Sequence, residues 1–163
     1  MNGSIESFLY LSKSKYGLCT KELDLFAQQF SSQNRLFGIT GFLYYNNGYF
    51  IQYFEGSSKA VLQLKQNIQL DSRHVVKIWL NDREKKNRRF PDWSMNNLND
   101  ILKKTNSLNN TLNVLYSILL LSMQNVTNSG KKIDGITQRQ LFEKVDDLAS
   151  LANEMNLNER LTN

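Results

Sequence analysis

Gln52 raises the first chemical question in the sequence, because it interrupts the apolar strand pattern GYFIQYFEG at 48–56. Side chains alternate between the two faces of a strand, so the Gln52 amide shares its face with Phe50 and Phe54. The opposite face carries Tyr49, Ile51 and Tyr53, and apolar residues on both faces are typical of a central strand covered on both sides. An unpaired buried amide would cost about 1–3 kcal/mol. The pattern therefore predicts a polar partner for Gln52 inside the core.

Other residue types that carry catalysis or metal binding are scarce. The 163 residues include one histidine, His74, and one cysteine, Cys19, so we expect no metal site and no internal disulfide. The formal charge is only +5, and the densest basic run, REKKNRR at 83–89, lies in a predicted loop. We expect that run to be a solvated surface rather than a nucleic-acid-binding patch.

Hydrophobic periodicity predicts the elements that must position Gln52. The hairpin signal Asn47-Gly48 joins two strands within 38–56. A first helix is expected from a cap at Thr20 to about Ser32. The remaining predicted elements are a strand at 7–14, a helix at 57–71, a strand at 74–82 and a loop followed by a short strand within 88–98.

This order predicts an α+β fold, a ferredoxin-like sandwich with a five-stranded mixed sheet and two helices on one face. We expect the first and third strands to form a central parallel pair. Tyr10 in the first strand would then lie beside Gln52 in the third, and it is the candidate partner of the amide.

The composition changes after Asp100, and we expect one domain at 1–100 and a helical appendage at 101–163. Helices are predicted at 108–125 and 137–161, each with one apolar face. The first face comprises Leu108, Leu112, Leu115, Leu119 and Ser122; the second comprises Leu141, Val145, Leu148, Leu151, Ala152 and Met155. These helices are expected to pack on the open sheet face or to pair with another chain.

Five segments resemble, in order and spacing, the BLUF domain, a flavin-binding sensor of blue light. They are YLSKS, SSQNRLFGITGFLYY, GYFIQYFEG, DSRHVVKIWL and FPDWSM, and the match covers about residues 5–98. The first and last segments are most similar to BLUF domains of photoactivated adenylyl cyclases. No cyclase domain follows within the 163 residues, so we expect either part of a longer photoreceptor or a short BLUF protein with two trailing helices.

The resemblance implies a role for each matching residue. Tyr10 would give an electron and a proton to the excited flavin, and Gln52 would lie between Tyr10 and the flavin ring. Asn34 would bind the polar edge of the ring. Trp93 and Met95 match the two positions that transmit the signal from the glutamine.

The resemblance also implies the walls of the flavin site. Arg73 and His74 match positions that face the flavin side chain and its phosphates. The apolar walls would come from Phe30, Ile39, Leu64 and Ile68, in a slot between two helices over the sheet. Phe30 stands where the family often has a smaller residue.

Three functions stay open from the residues. The first is a light receptor, not an enzyme, that binds FAD, with FMN or riboflavin as alternatives. It would act as a homodimer or higher oligomer on an effector such as a nucleotide cyclase. The second is a flavin-dependent oxidoreductase, and the third is a ferredoxin-like interaction module without flavin. The start of the chain has no secretion signal and its longest apolar run is too short for a membrane span, so we expect a cytoplasmic protein without membrane contact.

Overall fold

The computed structural model describes residues 4–91, 94–97 and 105–161. The chain divides into two compact units, Met1–Asp100 and Ile101–Asn163. None of the described helices combines the length and the apolar character that crossing a membrane requires.

The first unit is built on a sheet with the strand order β4-β1-β3-β2-β5. Four strands form its antiparallel part: β1 (Ile5–Ser14), β2 (Thr40–Asn46), β3 (Tyr49–Ser57) and β4 (His74–Lys85). A short segment, β5 (Ser94–Asn97), pairs in parallel with the start of β2. The predicted α+β class is confirmed.

The direction predicted for the first and third strands is wrong. β1 and β3 are neighbours, but they run antiparallel, with Tyr10 opposite Gln52 in the register. The reason is topological. A helix crosses over between β1 and β2, which makes these strands parallel, and β3 is inserted between them as the hairpin partner of β2.

Two backbone positions explain the hairpin β2–β3. Asn47 and Gly48 both have positive φ, 48° and 81°, as a two-residue turn of this kind requires, so the predicted Asn-Gly turn is confirmed. Gly41 has φ 144°, and a Cβ built there would lie 2.0 Å from the carbonyl oxygen of Tyr53. Any other residue at 41 would therefore push β2 away from β3.

The two helices of the first unit are α1 (Thr20–Leu36) and α2 (Ser58–Leu70). Cys19, not Thr20, is the residue that precedes the first turn of α1, and its backbone N–H donates to Glu22 Oε2 at 2.8 Å. The helix continues one turn beyond the predicted end at Ser32. Asn34 consequently lies in its last turn and is buried.

An apolar cluster joins the helices to one face of the sheet. Its buried members are Phe8, Tyr10, Ile39, Leu43, Phe54, Val61 and Ile68. Phe30 of α1 and Leu64 of α2 pack against this cluster. Burial of such side chains contributes about 1.5–3 kcal/mol each, which fixes the strands that carry Tyr10 and Gln52.

The second unit contains two helices, α3 (Asn106–Ser129) and α4 (Gly135–Leu161). All five residues of the predicted α3 stripe, from Leu108 to Ser122, are buried. On α4, Leu141, Val145, Leu148 and Ala152 are buried, whereas Leu151 and Met155 are half-buried. Gly130 ends α3 with positive φ, the left-handed conformation common after helices.

Candidate functional site

A cavity of about 810 Å³ opens between α1, α2 and the sheet. Its size falls within the range of about 300–1,000 Å³ that is usual for sites of organic ligands. Apolar and aromatic side chains line it together with a few amide and charged groups. Tyr10 and Gln52 both lie on its sheet side, from adjacent strands.

The Tyr10 hydroxyl donates a hydrogen bond to Oε1 of Gln52, with 2.5 Å between the oxygens. Both side chains are buried, so the amide has the polar partner that its position requires. Burial raises the pKa of the Tyr10 phenol far above its ordinary value, and the negative charge of Asp71 adds to the shift. Tyr10 therefore stays protonated and acts as the donor in this bond.

Aromatic rings surround the Tyr10 phenol. The ring of Trp79 lies 4.9 Å from it between centroids, and those of His74 and Phe54 each lie 6.3 Å away. His74 stacks on Tyr10 with an interplanar angle of 21°. This apolar enclosure holds the phenol in one orientation toward the amide.

Asn34 presents an unsatisfied donor to the cavity. Its side-chain nitrogen Nδ2 is buried and has no hydrogen-bond partner among the described residues, although the residue lines the cavity. Its backbone carbonyl accepts from the N–H groups of Phe37 and Ile39 at 3.2 and 2.9 Å, which fixes the end of α1. A buried donor without a partner is costly, so this amide is suited to a ligand carbonyl or ring nitrogen.

One end of the cavity is polar. The Arg73 side chain donates to Asp71 from Nε to Oδ1 at 2.9 Å and to Oδ2 at 3.0 Å, and from Nη2 to Oδ2 at 2.6 Å. Its guanidinium lies 4.7 Å from the ring of Phe26. Hydrogen bonds from Arg73 hold the pKa of Asp71 below its usual value. His74 lines the same end, and its Nδ1 is buried without a partner among the described residues.

Burial lowers the pKa of His74 below 6.5, although Asp71 acts in the opposite direction. The Nε2 atom of His74 lies 3.9 Å from Oδ2 of Asp71. His74 is therefore largely neutral at pH 7, and one of its ring nitrogens can accept a hydrogen bond.

The structure brings together most of the residues selected from the sequence. Phe30, Leu64 and Ile68 line the cavity together with Tyr10, Asn34, Gln52, Arg73 and His74. Ile39 was predicted as a wall, but it is buried in the apolar cluster and does not line the cavity. Trp93 lies outside the described residues. Met95 belongs to β5, of which the backbone pairing alone is described.

Several cavity residues were not found from the sequence. They include Tyr16, Leu25, Phe26, Gln33, Asn67 and Asp71. On α1, Phe26 stands four positions before Phe30, which in turn stands four before Asn34, and Leu25 and Gln33 directly precede Phe26 and Asn34. The missed residues therefore share one helix face with Asn34, and that spacing was a usable signal. Asp71 stands two residues before Arg73, a spacing at which a side-chain carboxylate can accept from the backbone N–H, as it does here at 3.0 Å.

The predicted solvated surface at 83–89 is partly wrong. Arg89 is only 7% exposed, and its Nη1 forms an ion pair with Asp82 Oδ2 at 2.7 Å. It also donates to the hydroxyl of Tyr53 at 3.1 Å. Arg89, the last residue of the basic run, thus lies in the core, because Asp82 and the hydroxyl of Tyr53 compensate the loss of its hydration.

Among the described residues, no group of His, Cys, Asp and Glu is arranged to hold a metal ion. The polar groups of the cavity include amides, phenols, a hydroxyl, a carboxylate, an imidazole and one Arg–Asp pair. This set matches an organic ligand with a flat apolar body and hydrogen-bonding edges.

Solved structures with similar folds include a light-regulated enzyme and a BLUF protein. A bacterial light-regulated adenylyl cyclase is 28% identical over 72% of this chain and 36% of that chain, with a TM-score of 0.54. BlrB, a BLUF protein in its dark state, is 29% identical over 60% of this chain and 74% of that one, with a TM-score of 0.51.

A third similar structure is BlrP1 of Klebsiella pneumoniae with FMN and cyclic diGMP. It is 27% identical over 77% of this chain and 35% of that one, with a TM-score of 0.53. The chain thus spans about a third of the length of the cyclase and of BlrP1. No curated protein matches the chain.

The model of the BLUF family, sensors of blue light using FAD, matches residues 5–96. This range contains every residue that lines the cavity, and it makes up more than half of the chain. The protein therefore belongs to the BLUF family of flavin-binding blue-light sensors.

Proposed function

We propose that the first unit senses blue light through a phenol–amide pair, Tyr10 and Gln52, beside a bound flavin. The hydrogen bond between these two side chains on the wall of the cavity is the observation that carries the proposal. Tyr10 is the phenol that would donate, and Gln52 is the group that would change its hydrogen bonds. The light signal is thus a rearrangement within the protein and not the turnover of a substrate.

The cavity residues fit a flavin. The isoalloxazine ring is flat and apolar with one polar edge. The buried Nδ2 of Asn34, which has no partner in the described part of the chain, supplies a donor for that edge. Phe30, Leu64 and Ile68 supply apolar surface for the ring. When bound, the flavin supplies the absorption of blue light and accepts an electron.

FAD is the flavin that we propose, with FMN or riboflavin as alternatives that bind through the same ring. Arg73 and His74 lie at the polar end of the cavity and would face the flavin side chain. Arg73 is already paired with Asp71, so its guanidinium is held in a fixed orientation at that end. A fixed donor loses less conformational entropy when it binds a hydroxyl or phosphate oxygen.

Tyr10 is suited to lose an electron and a proton together. Its pKa is raised by burial, so the phenol keeps its proton until the ring is oxidised. Oxidation makes the phenolic proton strongly acidic, and Oε1 of Gln52 is the acceptor already in contact with it. The bond from Tyr10 to Gln52 therefore gives the proton a path out of the phenol.

Gln52 is suited to hold the lit state. A carboxamide has an acceptor and a donor, so rotation or tautomerisation of its amide reverses its hydrogen bonds without a large movement. Two arrangements that differ by a few hydrogen bonds, each about 0.5–1.5 kcal/mol net, form a two-state switch. The tight packing around Gln52, which is 5% exposed, limits the change to these two arrangements.

The signal would leave the unit through β5. Met95 lies on this strand and Trp93 precedes it, and these residues are the proposed transmitters from Gln52. Helices α3 and α4 follow, and we propose that they cap the sensor, pair two copies or contact an effector. The fusion of a similar domain to an adenylyl cyclase supports a nucleotide cyclase as one such effector.

An absorption spectrum before and after blue illumination tests the proposed function. We expect purified protein to be yellow and to show a small, reversible red shift of the flavin bands without bleaching. Bleaching would instead indicate flavin reduction, as in an oxidoreductase. A colourless protein, also after refolding with excess FAD, would contradict flavin binding by this chain.

A further inference from the structure

A buried carboxylate on the sheet face opposite the cavity has no part in the photochemistry described above. Glu55 of β3 has no exposed surface. Its Oε1 accepts from the backbone N–H of Phe90 at 2.7 Å and from the hydroxyl of Thr40 at 3.2 Å. Its Oε2 accepts from the backbone N–H of Arg89 and from the hydroxyl of Tyr53, both at 2.9 Å. One side chain thus binds two consecutive backbone amides of the loop after β4.

The two arginines of this loop strengthen the same attachment. Arg88 donates from Nη1 to the carbonyl oxygen of Glu55 at 3.0 Å and from Nη2 to that of Gly38 at 2.6 Å. Arg89 pairs with Asp82 at 2.7 Å and is 5% exposed at its side chain. The loop is therefore bound to β3, to the segment before β2 and to β4. We call Glu55, Arg88, Arg89 and the Phe90 amide the Glu55 clamp.

The Glu55 clamp lies next to β5 in the chain. Phe90 precedes Ser94, the first residue of β5, by four positions, and β5 is only four residues long. Its described pairing is with β2, and the register shifts within that pairing. A short edge strand with an irregular register forms few backbone hydrogen bonds with its neighbour. The hydrogen bonds made by the residues just before it must therefore help to define its position.

The same strand carries both Glu55 and Gln52. The two residues are three positions apart and therefore on opposite faces of β3, Gln52 toward the cavity and Glu55 toward the loop. A change in hydrogen bonding at Gln52 acts on a strand whose other face is bonded to the entry of β5. The packed sheet between these faces transmits small displacements, because protein interiors are nearly incompressible.

We propose that Glu55 is a positioning residue for signal output, which holds the entry of β5 in register with Gln52. The inference rests on the proposed function, since it concerns the path from the phenol–amide pair to β5. Glu55 makes no contribution to the photochemistry. Weakening the Glu55 clamp is therefore expected to leave the red shift intact and to abolish the response of β5 to light.

The test uses the Glu55→Gln variant of the full chain with FAD bound. The new amide nitrogen cannot accept, so one pair of clamp donors loses its acceptor while the side-chain shape is kept. In the dark, we expect faster hydrogen exchange than in the wild-type protein at whichever of the Arg89 and Phe90 amides faces the new nitrogen. Under blue light, we expect a normal red shift but loss of the light-induced NMR shifts of the Ser94–Asn97 amides.

The matched control is Glu6→Gln. Glu6 on β1 accepts from the Ser58 hydroxyl at 2.7 Å and from Asn81 Nδ2 at 3.1 Å, far along the chain from β5. It undergoes the same chemical change, and we expect both the red shift and the β5 response to persist. A loss of the β5 response in the Glu6 variant as well would overturn the specific role of Glu55.

Two other results also decide the question. If Glu55→Gln shows the absorption red shift and also keeps the light-induced NMR shifts of the β5 amides seen in the wild-type protein, the inference alone is overturned. If the wild-type protein shows no absorption red shift, the proposed function is overturned as well. If Glu55→Gln does not fold, Arg88→Gln takes its place, because it removes the bonds to the Glu55 and Gly38 carbonyls and keeps the carboxylate. A full β5 response in folded Arg88→Gln likewise overturns the inference.

Discussion

At the scale of residues, the site depends on one pairing across two strands. Tyr10 and Gln52 are opposite each other in the β1–β3 register, and the phenol donates to the amide oxygen. The sequence predicted this neighbour relation correctly, because a buried amide needs a partner and Tyr10 was the polar side chain that the topology brings near it. The predicted direction of the two strands was wrong, but their adjacency was right, and the observed register places Tyr10 opposite Gln52.

The first residue-scale prediction concerns the phenol. Tyr10→Phe removes the donor to Gln52 Oε1, and we expect the variant to bind flavin but to lose the light-induced red shift. Because the change removes the donor and leaves the buried acceptor in place, it is expected to lower the free energy of unfolding by about 1–3 kcal/mol. Absorption spectroscopy and urea unfolding measure the two effects.

Tyr44→Phe is the matched control for this change. Tyr44 is also buried and on the sheet, but it pairs with Ile51, on the face away from the cavity. Its variant should keep the red shift. Gln52→Leu should lose the shift as Tyr10→Phe does, and a normal photocycle in either site variant would remove that residue from the proposed mechanism.

The second residue-scale prediction concerns His74 in the protein without flavin. Its pKa in the folded state is lowered below 6.5 by burial, so the unfolded chain takes up a proton at a higher pH than the folded chain does. The unfolded state then binds more protons, and stability rises with pH in that range. His74 therefore costs no stability above pH 6.5 and an increasing amount as the pH falls from 6.5 toward the folded pKa.

Urea unfolding on both sides of pH 6.5 measures this dependence. Asp71, Arg73 and Lys15 are the charged groups that act on His74, and all three remain in the comparison variant His74→Gln. We expect a smaller loss of stability below pH 6.5 in the variant than in the wild-type protein. Equal losses in the two proteins would show that His74 does not bind its proton more weakly in the folded state.

At the scale of elements, local sequence patterns predicted which strands, turns and helices form better than they predicted the order and direction of the strands in the sheet. The Asn47-Gly48 hairpin was predictable, because the turn chemistry is local and specific. The antiparallel β1–β3 pair was missed, although it follows once β1 and β2 are parallel and β3 lies between them. Its prediction needs the sheet order, which depends on long-range packing rather than on any one segment.

The basic run at 83–89, whose first three residues belong to β4 and not to the predicted loop, shows why a charge run is a weak guide to exposure. Its composition is that of a solvated surface, yet Arg89 is buried against Asp82 and Tyr53. Asp82 directly precedes the run, whereas Tyr53 lies 36 positions before Arg89 on another strand, where composition alone does not connect it to the run. Glu55 was the available signal that part of the run is buried, because a carboxylate in a covered strand needs hydrogen-bond donors nearby.

At the scale of the whole molecule, the chain consists of two compact units with different chemistry. Every residue that lines the cavity belongs to Met1–Asp100, and the paired apolar faces of α3 and α4 belong to Ile101–Asn163. The α3 stripe was predicted residue by residue, because a 24-residue helix repeats its apolar face over many turns. We therefore expect a core change in the helices to leave flavin binding unaltered.

Leu115→Ala tests this division. Leu115 is fully buried on α3, and its truncation is expected to destabilise the helical unit by about 2–5 kcal/mol. Both tryptophans, Trp79 and Trp93, lie in the first unit, so their fluorescence follows that unit while far-ultraviolet circular dichroism follows mainly the helices. In urea, we expect the dichroism transition to move to lower concentration, with the tryptophan transition and the red shift unchanged.

Val114→Ala is the control, because Val114 is 46% exposed on the same helix and its truncation should cost at most about 0.5 kcal/mol. Equal displacement of the tryptophan and dichroism transitions in Leu115→Ala would mean that the two units unfold as one cooperative structure. In that case the packing of the helices would be part of the stability of the flavin site itself. Separate transitions would instead leave the light-sensing pair thermodynamically independent of the helices that we propose to carry its output.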